Sequence, residues 1–94
     1  MKIVAVCGVG VGTSAILKAN AERALERLEL DAEVSACGLG DVAAASADAQ
    51  IVLTSTELSA QVRAELGRTF AEIVEVGNYF DVDEIAQHLQ RSLG

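Results

Sequence analysis

The chain contains no proline and no tryptophan, and aromatic residues make up only 3% of its 94 residues. So few aromatic side chains leave no stacking platform for single-stranded nucleic acid. Basic residues are also scarce: 7 Lys and Arg stand against 14 Asp and Glu, which gives a formal net charge of -7. That balance repels nucleic-acid phosphates and provides no polybasic patch for a membrane surface. We therefore expect no nucleic-acid partner.

Long apolar runs are missing as well. No run approaches the roughly 18 residues that a membrane span needs. The apolar stretch that follows Met1 and Lys2 is too short for the core of a signal peptide. Yet 51% of the residues are hydrophobic, too many for a disordered chain. The sequence predicts a single domain over residues 1–94 that lies in the cytoplasm without direct membrane insertion.

The chain has few residues that bind metals through sulfur or imidazole: Cys7, Cys37 and His88. No two of them stand at a metal-ligand spacing, so we expect no metal site. In a reducing compartment both thiols stay free. Cys37 is interpreted as a packed thiol at the end of a strand rather than a redox partner of Cys7. His88 is interpreted as an exposed residue near the end of the last helix.

Short β-branched runs alternate with longer segments of helical periodicity. Strands are predicted over 2–6, 32–37, 50–54 and 71–76, and helices over 13–29, 41–47, 56–66 and from 82 onwards. Right-handed crossovers between consecutive strands then give a parallel sheet with helices on both faces. The predicted fold class is α/β, a three-layer sandwich with a four-stranded parallel sheet of order 2-1-3-4.

Local signals mark two of the helix starts. Asp81 is predicted to cap the last helix, with Glu84 three residues later as in a capping box. Phe80, just before that cap, is predicted to pack onto Ile85. Asp41 is predicted to cap the second helix.

With strand order 2-1-3-4, the winding of the sheet reverses between strands 1 and 3. Ligands of such sheets bind beyond the carboxyl ends of the strands at that switch point. The loops that begin there start at Cys7 and at Thr54, Ser55 and Thr56. The hydroxyls of this second loop either cap the third helix or contact a bound phosphate, and the sequence leaves both open.

The segment from Cys7 to Ser14 combines alternate glycines with a thiol and two hydroxyls. It reads Cys7, Gly8, Val9, Gly10, Val11, Gly12, Thr13, Ser14. Such a backbone can turn successive N–H groups inward as an anion cradle that ends on a helix N-terminus. The same positive end favours thiolate over thiol and lowers the pKa of a cysteine placed there. The pattern predicts phosphoryl transfer through a phosphocysteine at Cys7, held by residues 8–14.

Three other glycine-loop readings fit less well. A Walker loop requires a lysine after its last glycine, and none follows Gly12. A dinucleotide fold needs an acidic residue at the end of strand 2, where the chain has Cys37. In a small cysteine phosphatase, an arginine follows the cysteine and five further residues. Thr13 occupies that position here, so the charge that would stabilise hydrolysis is missing.

This loop resembles that of the IIB subunits of the phosphotransferase system, in which a strand leads to a phosphorylated cysteine, a glycine-rich turn and a helix. The match includes Cys7, Gly10, Gly12 and Ser14, and continues downstream at 35–37, 55–56 and 74–78. Among these subunits, the sequence resembles the ascorbate type most, a relative of the galactitol and lactose/cellobiose types.

The resemblance implies a mechanism and a set of partners. A IIA protein presents a phosphohistidine, Cys7 accepts the phosphoryl group, and the sugar bound by the membrane transporter IIC receives it. No metal or organic cofactor takes part. The protein would lie in the cytoplasm and meet the inner membrane only through IIC, and the sugar would be ascorbate-like or a pentitol. The alternatives are a phosphatase or arsenate-reductase-like enzyme, and a IIB-like regulatory module without catalysis.

Overall fold

Four parallel strands form one sheet in the order β2-β1-β3-β4, as predicted. The computed structural model describes residues 2–6, 10–67, 71–78 and 80–93, and the side chains of these except 10–14 and 93. The strands are β1 Lys2–Val6, β2 Glu33–Cys37, β3 Ile51–Ser55 and β4 Glu72–Val76. Central β1 pairs with β2 from Lys2↔Glu33 to Val6↔Cys37, and with β3 from Ile3↔Ile51 to Ala5↔Leu53.

The helices alternate with the strands along the chain. They are α1 Gly10–Leu28, α2 Val42–Ala45 with a 3-10 turn Leu39–Asp41 before it, α3 Ser59–Leu66 and α4 Val82–Leu93. Helices α1 and α4 pack together on one face of the sheet, and α2 and α3 pack together on the other. The predicted three-layer α/β sandwich is therefore confirmed.

Each face of the sheet has its own hydrophobic core, because successive strand side chains point to opposite faces. Ile3 and Ala5 of β1 pack with α1 and α4, whereas Val4 and Val6 pack with α2 and α3. All four are fully buried. Burial of β1 on both faces explains its uninterrupted apolar sequence, which is typical of a parallel strand inside such a sandwich.

Helix α1 begins three residues earlier than the predicted start at Thr13 and takes in residues 10–12. Glycine lowers helix propensity by about 1 kcal/mol relative to alanine but does not forbid helical dihedrals. The apolar face of α1 compensates for it: Leu17, Ala21 and Ala24 are fully buried against the sheet. Tertiary packing therefore extends the helix into the glycine-rich segment.

The start of α4 agrees with its predicted cap, and two other local predictions are wrong. Asp81 accepts a hydrogen bond from the Glu84 N–H at 3.1 Å, which confirms the N-cap. Asp41 makes no capping hydrogen bond, because the 3-10 turn that includes it already leads into α2. Phe80 is 69% exposed while Ile85 is fully buried, so Phe80 does not cover Ile85. The core residues of α1 and the sheet bury Ile85 instead.

Among the described residues, no helix is both long enough and apolar enough to cross a membrane.

Candidate functional site

The carboxyl edge of the sheet is the candidate site, because it carries the switch point between β1 and β3. β1 ends at Val6 and β3 at Ser55, and the two strands are neighbours in the sheet. The predicted nucleophile Cys7 follows Val6 directly in the chain. Cys7, Gly8 and Val9 lie outside the described residues, so the proposed role of these three stays a prediction.

The amino end of α1 is the part of the predicted cradle that the structure describes. Gly10, Val11, Gly12, Thr13 and Ser14 form the first turns of this helix. The first four N–H groups of an α-helix have no acceptor within the helix, and the helix dipole makes this end positive. No acidic residue stands in the first turn of α1 to neutralise it. The predicted cradle is thus largely a helix N-terminus rather than a long loop.

The hydroxyls after β3 divide between structural and unassigned roles. Ser55 Oγ accepts a hydrogen bond from the Leu58 N–H at 3.1 Å. Ser59 Oγ donates to the carbonyl of Thr56 at 3.3 Å, and the Thr56 side chain is exposed. Ser55 therefore braces the turn that leads into α3, which is the capping alternative. The exposed Thr56 hydroxyl remains accessible at the carboxyl edge.

Thr54, one residue before Ser55, has a different environment. Its side chain is fully buried, and its Oγ1 has no hydrogen-bond partner among the described residues. A buried hydroxyl without a partner costs about 1–3 kcal/mol. The sequence grouped Thr54 with Ser55 and Thr56 and could not tell their hydroxyls apart. The apolar run that precedes Thr54 was the available signal that its side chain would be buried.

The loop between β4 and α4 is closed by its own side chains. Glu84 Oε2 accepts a hydrogen bond from the Gly77 N–H at 2.6 Å. Asn78 Oδ1 accepts one from the Phe80 N–H at 2.9 Å, and the Asn78 carbonyl accepts one from the Asp81 N–H at 3.2 Å. The capping-box signal therefore located the helix start, but Glu84 reaches back to Gly77 instead of to Asp81.

Cys37 is the last residue of β2, next to the end of β1. It pairs in register with Val6 and packs against the core on the α2 and α3 face. Burial raises the pKa of the Cys37 thiol, and the nearby Asp41 carboxylate raises it further. A half-buried thiol with a raised pKa is a poor nucleophile at neutral pH. This environment supports the interpretation of Cys37 as a packing residue.

His88 lies on α4 beside the edge strand β4. Its Nε2 is 3.4 Å from Glu84 Oε2, and the imidazole also lines a groove of about 290 Å³ along β4 with Arg63 and Arg91. No group of three or more His, Cys, Asp or Glu side chains within the described part of the chain is arranged to hold a metal ion.

Comparison with protein families identifies the family of this chain. The model described as "PTS system, Lactose/Cellobiose specific IIB subunit" matches residues 2–91. The chain belongs to this family. It is therefore a IIB-type component of a sugar phosphotransferase system, and the resemblance noted in the sequence is confirmed.

Two relatives of this chain within the IIB family are ascorbate-specific components. An ascorbate-specific PTS system EIIB component of Mycoplasma pneumoniae is 32% identical over 93 residues, covering 99% of this chain and 95% of that protein. An ascorbate-specific EIIB component of Escherichia coli O157:H7 is 31% identical over 62 residues, covering 66% of this chain and 61% of that protein.

Solved structures share the IIB fold at low identity. The lactose-specific IIB domain of Streptococcus pneumoniae superposes with a TM-score of 0.69 at 15% identity, covering 99% of this chain and 94% of that one. A low molecular weight protein tyrosine phosphatase of Bacillus subtilis superposes with a TM-score of 0.61, also at 15% identity, covering 98% and 89%. The fold is common to carriers and phosphatases, so the fold alone does not separate the two activities.

Proposed function

We propose that this chain carries a phosphoryl group on Cys7 between a phosphohistidine of a IIA protein and a sugar bound by a membrane transporter IIC. The observation that carries the proposal is the amino end of α1. It begins at Gly10, three residues after Cys7, and has no acidic residue in its first turn. An open helix N-terminus close in the chain to a cysteine favours both the thiolate and the bound phosphoryl group.

In the first step the Cys7 thiolate attacks the phosphorus of the phosphohistidine. The S–P bond forms as the N–P bond breaks, and the imidazole nitrogen keeps the electron pair of that bond. The backbone N–H groups at the start of α1 stabilise the charge on the phosphoryl oxygens. Gly8 and Val9, together with residues 10–14, form the proposed phosphate cradle.

In the second step a sugar hydroxyl on IIC attacks the same phosphorus. The O–P bond forms, the S–P bond breaks, and the thiolate of Cys7 is regenerated. The hydroxyl proton passes to a base or to water. Neither step requires a metal or an organic cofactor from this chain. The protein then works in the cytoplasm and meets the membrane through IIC.

The names of two relatives, both ascorbate-specific EIIB components, support a proposal for the sugar. Ascorbate or a related sugar acid is the sugar we propose first, with a pentitol as the alternative. The sugar binds IIC, so the substrate of this chain itself is the phosphoryl group.

Mass spectrometry of the intact protein tests the carrier function. The chain is incubated with phosphoenolpyruvate, enzyme I, HPr and a IIA protein of an ascorbate-type system. Wild type should gain one phosphoryl group that maps to Cys7, and Cys7→Ser should gain none. Cys37→Ser is the matched control and should be labelled like wild type. An unlabelled wild type in the presence of phosphorylated IIA would overturn the proposal.

The phosphatase fold neighbour favours one second candidate, a cysteine phosphatase. Against it, Thr13 stands where a phosphatase loop has its arginine, so the phosphorylated cysteine lacks a clamp for the hydrolytic transition state. Turnover of p-nitrophenyl phosphate that disappears in Cys7→Ser would support this candidate. A labelled protein that passes its phosphoryl group on only when membranes with IIC and sugar are present would exclude it. A labelled protein that never passes the group on would indicate a regulatory module.

A further inference from the structure

Phe80 is the most exposed large hydrophobic side chain in the described part of the chain. Its ring is 69% exposed, whereas the next two, Ile16 and Leu30, are each 38% exposed. A residue just before an N-cap often packs onto the fourth residue of the helix, here Ile85, but α1 and the sheet already bury Ile85. Within the described residues, neither core includes the ring of Phe80.

Hydrogen bonds stabilise the turn that carries this ring. The Phe80 N–H donates to Asn78 Oδ1 at 2.9 Å, and the Asp81 N–H donates to the Asn78 carbonyl at 3.2 Å. A side chain on a hydrogen-bonded turn loses less conformational entropy when a partner covers it. Aromatic rings are also enriched in the buried centres of protein interfaces. Phe80 therefore has the features of an interface residue.

The turn lies at the end of the sheet that carries the switch point. Ser55 of β3 pairs in register with Val76 of β4, so the segments after the two strands leave the sheet side by side. Two strand spacings, about 10 Å, separate β4 from β1. A protein interface of standard size covers about 800 Å² per partner, a patch roughly 30 Å across. A protein that delivers a phosphoryl group to the end of β1 therefore also covers the end of β4.

The segments at this end of β3 and β4 are acidic. Residues 56–57 and 77–84 include four acidic residues and no lysine, arginine or histidine. One of the four acids, Asp83, pairs with Arg27 of α1, so the patch keeps a net negative charge. A partner that covers Phe80 then needs an apolar pocket with a basic rim. The cytoplasmic surface of a membrane is negative and repels such a patch, which favours a partner outside the membrane over IIC.

We propose that Phe80 is the apolar anchor of a docking surface for the IIA protein, the phosphoryl donor. This inference rests on the proposed function. The surface consists of Phe80 together with the exposed side chains of Thr56 and Asn78 at the same end of the sheet. IIA covers the ring with an apolar pocket and places basic side chains around it, which brings its phosphohistidine to the end of β1.

The rate of phosphoryl transfer measures this contact. Phosphorylated IIA of an ascorbate-type system is added at increasing concentration to wild type, Phe80→Ala or Phe80→Leu, and labelling is followed by intact mass. Phe80→Ala should raise the IIA concentration that gives half the maximal rate about tenfold or more. The rate at saturating IIA should stay within about twofold of wild type, because the ring does not contact the reacting atoms. Phe80→Leu keeps an apolar side chain and should have a smaller effect.

Leu30→Ala is the matched control, because Leu30 is also exposed but lies between α1 and β2, at the opposite end of the sheet. It should leave the half-saturating concentration of IIA unchanged. Urea unfolding provides a second control. Phe80→Ala should unfold at the same urea concentration as wild type, because the ring belongs to neither core.

The outcomes separate this inference from the carrier function. If wild type accepts no phosphoryl group from IIA, the proposed function fails and the inference with it. If wild type is labelled and Phe80→Ala has the same half-saturating concentration, only the inference is overturned. An equal effect of Leu30→Ala would also overturn it, because the effect would not be specific to this surface. If Phe80→Ala slows only the transfer to sugar in membranes that contain IIC, the assignment to IIA is wrong.

Discussion

Helices α1 and α4 belong to the same layer, and each follows a strand of the sheet, yet their amino ends differ in chemistry. The end of α4 is neutralised by its own acids: Asp81 caps it, and Asp83 and Glu84 stand in its first turn. The end of α1 begins at Gly10 with no acid in its first turn. Acids of its own first turn stabilise the positive end of the α4 dipole, whereas the first turn of α1 has no acid that could do so.

The difference indicates that, of the segments leading into α1 and α4, the one before α4 has side chains that stabilise the fold. Around α4, the Glu84 carboxylate accepts a hydrogen bond from the Gly77 N–H, and the Asp81 carboxylate accepts one from the Glu84 N–H. At α1, the sequence supplies glycine, hydroxyl and thiol instead of carboxylates. A negative residue there would compete with the phosphoryl group that we propose as the ligand.

Thr13→Asp places an acid at the start of α1, as at the start of α4. It should lower the rate of phosphoryl acceptance more than any other substitution proposed below. A carboxylate within about 4 Å of a phosphoryl oxygen costs roughly 3–4 kcal/mol at an effective dielectric constant near 20. The rate of phosphoryl acceptance from phosphorylated IIA should therefore fall by about 10²-fold or more. Thermal stability should stay equal or rise, since an acid at a helix N-terminus contributes about 0.3–1 kcal/mol.

Thr13→Asn is the matched control, because asparagine has the shape of aspartate without the charge. The fall in the rate of phosphoryl acceptance in Thr13→Asn measures the effect of the missing hydroxyl. The further fall in Thr13→Asp measures the effect of the charge. Equal rates in Thr13→Asp and Thr13→Asn would show that the start of α1 does not hold the phosphoryl group.

The two thiols extend the comparison to reactivity. We expect iodoacetamide to alkylate Cys7 at least tenfold faster than Cys37 at pH 7, because a helix N-terminus favours the thiolate. Burial and Asp41 raise the pKa of Cys37, so its thiolate fraction grows only at a higher pH than that of an ordinary thiol. Peptide mass mapping of Cys7→Ser and Cys37→Ser between pH 6 and 10 measures each rate alone. If Cys37 is alkylated as fast as a cysteine in an unfolded peptide, its environment does not suppress its reactivity and the prediction is wrong.

Asp81→Ala removes the side chain that caps α4. It should lower the free energy of unfolding by about 1 kcal/mol, the usual effect of losing an N-cap. Asp81→Asn retains a capping oxygen and should lose much less. Urea unfolding measures both. Phosphoryl acceptance should be unchanged in both variants, and a loss of acceptance in Asp81→Ala would mean that the α4 loop also takes part in the site.

Much of this architecture follows from periodicity. The apolar spacing in α1 and α4, and the β-branched run at Lys2–Val6, were sufficient for the strand order and the layers. The family followed from Cys7 and the glycines after it only together with the downstream matches at 35–37, 55–56 and 74–78, and the family model confirms it. These features are encoded by local pattern and by the handedness of crossovers, which act on short stretches of sequence.

The details that escaped the sequence depend on long-range packing. The start of α1 at Gly10 reflects burial of the helix face, which outweighs the low propensity of glycine. Thr54 and Ser55 carry similar hydroxyls, and only the fold shows that Ser55 braces a turn while Thr54 Oγ1 has no hydrogen-bond partner among the described residues. Glu29 is a third case. Its φ is 57°, in the left-handed region, and no neighbouring glycine or asparagine in the sequence predicts that conformation.

The carboxyl end of α1 offers the smallest predicted effect. The helix ends at Leu28, and Glu29 adopts a φ of 57°, which favours glycine. The Leu30 N–H donates to the Leu25 carbonyl at 3.0 Å across this turn, so the conformation is held by the helix ending itself. Glu29→Gly should therefore stabilise the protein by about 0.5–1 kcal/mol, since it relieves this strain and removes a negative charge from the negative helix end. Glu29→Gln removes the charge but keeps the Cβ, so it should gain less in urea unfolding. If the two variants gain equally, the negative charge rather than backbone strain is what destabilises the protein at this position.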